Sequence, residues 1–142
     1  MTLKNGKKVA RAVLLVFFAV APVFAGDSTV VFSVGSSNAP SAPRLLYPLS
    51  DSVILTGKDS LEFRWWNEGA GIDHFIFKIY KGYAMYGQDL LYKQNVPSGL
   101  SSITIQSKMF ENGRVYTWSL IQVSFDGLKS DKSFSAFKVI KE

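Results

Sequence analysis

Phe110-Glu-Asn-Gly113-Arg-Val-Tyr116-Thr-Trp118 decides the fold of this chain. An apolar residue, a turn glycine, then a tyrosine and a tryptophan two apart read as a tight turn entering a strand. Tyr116 and Trp118 then share one face, because side chains alternate along a strand. Gly113 suits a turn position with positive φ, which glycine adopts without a Cβ penalty.

Working outward, the same period of two recurs at short spacing. Leu61, Phe63 and Trp65 alternate with Glu62 and Arg64, which predicts a strand with one buried face. Phe75, Phe77 and Ile79 repeat the pattern after the Gly-rich connection from Asn67 to Asp73. Shorter candidates are Arg44 to Tyr47, closed by Pro48, then Leu90 to Lys93 and Ile103 to Ile105. Val115 to Phe125 is the longest, and Asp126-Gly127 supplies a turn before Phe134 to Ile140. Seven short strands and no helical period predict an all-β, antiparallel β-sandwich over residues 44–142, with a small barrel as the alternative. Nothing repeats internally, so these residues form one domain.

The first 25 residues read differently. Lys4, Lys7, Lys8 and Arg11 make a basic head, an apolar run follows from Ala12 to Ala25, and Val23 and Ala25 fit a cleavage site before Gly26. The run contains Pro22 and is short of the roughly 20 residues that span a bilayer. A secretory signal peptide over residues 1–25 is therefore expected, with an uncleaved membrane anchor as the rival. The chain has no cysteine, which excludes a lipoprotein anchor built on one. An exported, cysteine-free domain relies on packing alone.

That segment also carries the charge. The chain holds 16 Lys and Arg against 11 Asp and Glu, a formal net charge of +5. The four basic residues of the head have no acidic counterpart before Gly26, so the remainder carries 12 against 11. Near neutrality gives no case for nucleic acid. Residues 26–43 form a lead-in: Thr29 to Val34 has strand composition, and Gly35 to Pro43 is a Ser/Ala/Pro linker. Thr29 to Val34 is either an extra edge strand or an apolar segment awaiting a partner.

In order and spacing these motifs resemble the fibronectin type III family, in its bacterial variety, over about residues 42–142. Phe110-x-x-Gly113-x-x-Tyr116-x-Trp118 is similar to the passage between strands E and F, where a tyrosine corner recurs. Phe63-Arg-Trp65 resembles strand B with its buried tryptophan, Phe75 to Ile79 resembles strand C, and Ser130 to Val139 the ending. The immunoglobulin alternative lacks its cysteines. The resemblance implies a seven-stranded sandwich in which Tyr116 bonds to the backbone of the preceding turn. It also implies a module that binds or spaces rather than catalyses.

Chemistry is sparse. His74 is the only histidine and follows Asp73; no G-x-S-x-G elbow presents a serine, and zinc lacks ligands. Asp51, Asp59, Glu68, Asp73, Asp126 and Asp131 show no calcium-loop spacing. No cofactor is implied, and a small secreted hydrolase is the least favoured reading. It would need Asp73 and His74 facing a serine across a cleft.

What remains is surface. With Phe75, Phe77, Ile79, Tyr116 and Trp118 inward, Ile76, Tyr80, Ile121 and Val123 face outward on neighbouring strands. An exposed apolar patch there marks a contact surface; the competing reading is a bulge, or cover by Thr29 to Val34. Trp66 cannot share the core with Trp65, and Tyr83 and Tyr86 lie in a long connection. These three are secondary candidates, each with local packing as the alternative. The expected role is an exported binding or spacer module in the periplasm or outside the cell, docking another envelope or extracellular protein. Carbohydrate binding through Trp66, Tyr83 and Tyr86 is the alternative, with polysaccharide as partner. Membrane contact is expected only if the signal peptide is retained. N-terminal sequencing of the exported protein should begin at Gly26; a chain that keeps residues 1–25 would overturn the cleavage reading.

Overall fold

Alternation along the chain becomes two layers of strands in the computed structural model, which describes residues 39–142. The expected signal peptide and Thr29 to Val34 lie outside the described residues. Eight strands run in order: β1 (Leu45–Tyr47), β2 (Ser52–Ile54), β3 (Ser60–Trp65), β4 (Ile72–Lys81), β5 (Leu90–Pro97), β6 (Ser102–Gln106), β7 (Val115–Ser124) and β8 (Ser133–Ile140). One sheet has the order β1-β3-β6, the other β2-β8-β7-β4-β5. Two separate sheets make a sandwich and not the alternative barrel.

The expected seven antiparallel strands need correction in one place. Past Pro48 the chain changes sheets and forms β2, which pairs parallel with β8 through Val53 and Val139. Val53 and Leu55 are buried while Ser52 and Ile54 are exposed, so this short segment obeys the period of two as well. The indole Nε1–H of Trp118 donates to the Pro48 carbonyl at 2.8 Å and holds the crossing segment against the core.

Facing side chains fill the space between the layers. Phe63, from the three-stranded sheet, meets Phe77, Trp118 and Phe137 of the other at centroid distances of 5.1, 5.3 and 5.7 Å, all edge to face. Such pairs contribute about 0.5–1.5 kcal/mol each beyond their area. Trp65 meets Phe75 at 5.4 Å, also edge to face. Trp65 Nε1 is buried without a hydrogen-bond partner among the described residues.

The opening turn does what its sequence implies. Tyr116 is buried, and its hydroxyl accepts a 2.7 Å hydrogen bond from the Glu111 backbone N–H. Gly113 has φ 73° and donates to Val139 O at 2.8 Å. Glu111 holds Lys81 at 3.0 Å and Arg114 at 3.2 Å, and the bond and charge of Lys81 draw its carboxyl below the usual carboxylate range. Lys141 Nζ donates to Ser107 O and Phe110 O at 2.6 and 2.5 Å and ties the last strand to the same turn.

Tyr116→Phe keeps the ring and orphans the Glu111 N–H. It should lower unfolding stability by about 0.5–1.5 kcal/mol in urea titration with an unchanged m-value. A variant as stable as the parent would show that the hydroxyl does not anchor the turn.

Candidate interaction surfaces

Register across β4 and β7 decides which side chains look outward. Phe77 faces Leu120 and Ile79 faces Trp118 in the inner row; Ile76 faces Ile121, Lys78 faces Ser119 and Tyr80 faces Thr117 in the outer one. Ile76 and Ile121 are therefore direct cross-strand neighbours, both half-buried. None of the four expected patch residues is fully exposed, and two are buried. Tyr80 is 4% and Val123 5% accessible.

Local irregularities accompany both departures. A bulge at Ile79/Tyr80 breaks the pairing of β4 with β5, and both residues there are buried. Val123 sits between His74 on β4 and Lys129, which bridges back from the β7–β8 turn. Ser130 Oγ accepts from the Gln122 N–H at 2.9 Å and keeps that returning segment close.

The sequence reading missed Phe134. It pairs with Ser119 on the outward face of β8 and is 60% exposed. Its signal was present, since Phe137 and Val139 inward put Phe134 outward by alternation. Cross-strand geometry places it diagonal to Ile121, about 7–8 Å away. Ile76, Ile121 and Phe134 thus replace the expected patch, around the short side chain of Ser119.

Trp66 and the two tyrosines do not meet. Trp66, 56% exposed, follows β3 beside the start of β4, whereas Tyr83 and Tyr86, 75% and 67% exposed, lie beyond the end of β4. The 10 residues of β4 separate the two ends, roughly 30 Å at about 3.3 Å per residue. One platform built from all three is excluded.

Trp66 borders a cleft of about 540 Å³ between the β3–β4 and β5–β6 connections. Its backbone N–H donates to Arg44 O at 2.8 Å. The Asn67 amide donates to Ser98 O and to Leu100 O, the latter at 3.2 Å, and its Oδ1 accepts from Gly69 N at 2.8 Å. One side chain so joins the two connections. A smaller cleft of about 230 Å³ lies by Tyr83, Ser50 and Lys138 at the other end. A third, about 480 Å³, opens between Tyr92 on β5 and Ile105 and Met109 near β6.

His74 Nδ1 lies 2.7 Å from Asp73 Oδ2 on the half-exposed rim of β4, and neither residue lines these clefts. Among the described residues no three His, Cys, Asp or Glu side chains converge as a metal site. No described helix is long and apolar enough to cross a membrane.

No family model and no curated protein matches the chain. Among solved structures it is similar to the Clostridium perfringens spore cortex lytic enzyme SleM, at 13% identity and a TM-score of 0.49 over 70% of this chain. The chain spans 28% of that protein's length. It is similar to the fibronectin(III)-like modules of Clostridium thermocellum CbhA, at 16% identity and TM-score 0.47, covering 70% of this chain and 96% of that one. The fn3 domain of human contactin 1 is similar at 13% identity and TM-score 0.48, covering 83% and 95%. Fibronectin III-like modules are thus among the structures this chain resembles.

Trp66 is the exposed tryptophan, while Trp65 and Trp118 are buried. Acrylamide should quench one component of the indole emission strongly, and Trp66→Phe should remove it. Uniform weak quenching, unchanged by the substitution, would contradict the exposure.

Proposed function

We propose that this chain is an exported, non-catalytic binding module that docks another envelope or extracellular protein on the outer face of its five-stranded sheet. The observation that carries this reading is Phe134, an aromatic 60% exposed near the start of β8 and set diagonally from Ile121, the cross-strand neighbour of Ile76. A large apolar side chain on a regular sheet face gains little from its own domain and much from a partner that desolvates it. Aromatic anchors ringed by near-neutral contacts are the usual source of interface affinity. The flanking residues suit such a rim: Lys78 lies beside the patch on β4 and Lys138 further along β8. Export rests on the basic head and apolar run of residues 1–25, and the absence of catalysis on the scattered carboxylates and single histidine.

A photo-reactive phenylalanine analogue at position 134 tests the assignment in envelope extracts. Position 134 should yield one discrete protein adduct, whereas the same analogue at Glu62, on the outer face of the other sheet, should not. Ile121→Asp should abolish the adduct with the melting temperature of the protein little changed. Equal labelling from both positions, or an adduct indifferent to Ile121→Asp, would sink the proposal.

A further inference from the structure

The cleft beside Trp66 has a lining that selects a ligand class. Leu46 and Trp66 form an apolar wall; Asn67, Ser98 and Ser101 stand among glycines on the other side. Among the described residues no Asp, Glu, Lys or Arg lines it. A charged ligand would therefore enter without a counter-charge. A purely apolar one would strip water from hydroxyls and backbone groups and offer nothing in return. The fitting ligand is neutral, with one flat C–H face and a rim of hydroxyls.

We infer that this cleft binds a neutral pyranose glycan, with the ring stacked on Trp66 and its hydroxyl edge toward Ser98, Gly99 and Ser101. The axial C–H bonds of a sugar carry slight positive charge and the face of an indole slight negative charge, so stacking joins electrostatics to apolar contact. A β-linked chain of all-equatorial rings presents the flattest such face. At about 540 Å³ the cleft lies within the range of roughly 300–1,000 Å³ typical of ligand sites.

The platform is also set in advance. The Trp66 N–H is held by Arg44 O at 2.8 Å, the Trp65 N–H by Ser101 O at 3.0 Å, and Asn67 links both connections. A wall fixed before binding spares the entropy of ordering it. This site uses the end of the three-stranded sheet and is independent of the protein-docking face on the other sheet.

Calorimetric titration of the purified protein with cellotetraose and chitotetraose tests the inference, with polygalacturonate tetramer as the anionic control. Saturable binding of a neutral oligosaccharide is expected, weakened roughly tenfold or more by Trp66→Ala and unchanged by Tyr83→Ala at the opposite end. The Trp66 emission should shift to the blue in the same titration. The inference is overturned if no neutral oligosaccharide binds, if Trp66→Ala binds as well as the parent, if the anionic control binds more tightly, or if Trp66 is engaged by a protein that oligosaccharide does not displace.

Discussion

Phe63 is the point on which the two sheets depend. It projects from the three-stranded sheet into a nest of three aromatic side chains contributed by the other, with Phe110 of the intervening turn at 6.3 Å. With no cysteine in the chain, nothing covalent joins the layers. Interlocking edge-to-face rings do that work. Their geometry is directional, and it fixes the lateral position of one sheet on the other as well as their separation.

Tyr116 extends that constraint into the turn. Its ring packs on Phe110 at 5.1 Å and 80°, and its hydroxyl fastens the Glu111 backbone. Once Tyr116 and Trp118 are inward, the rest of β7 has no freedom of facing, and through register neither do β4 and β8. The candidate surface is therefore a consequence of the core: Ile121 and Phe134 point outward because their neighbours cannot.

Patterns internal to one strand were legible in the sequence. The buried faces of β3 and β7 and the core roles of Trp65 and Trp118 follow from alternation and spacing, and the Tyr116 anchor from the family resemblance. Properties that belong to pairs of strands were not. The bulges opposite Tyr80 and at the start of β4 arise from mismatch between neighbours, and no single strand announces them. β2 went unseen because its alternation runs only from Ser52 to Leu55, and its parallel partner lies more than eighty residues away. Trp66 was legible as an outward side chain because two consecutive tryptophans cannot face the same way. Its cleft was not, since part of the lining, Ser98, Gly99 and Ser101, comes from another connection. Grouping it with Tyr83 and Tyr86 failed because β4 carries the chain the full length of the sandwich between them.

The parallel pairing of β2 with β8 bears on how the domain would carry tension. The described chain enters beside Trp66, where Ser41 O accepts from Gln122 Nε2, and leaves beside the turn that Lys141 clasps. These are opposite ends of the sandwich. Force applied through them pulls β2 and β8 past one another along their length. The hydrogen bonds between the two strands then lie across the load and share it, instead of opening one after another as in an unzipping hairpin. Trp118 adds a further tie to the same segment through Pro48. Under such a load this three-residue pairing would be sheared and not peeled.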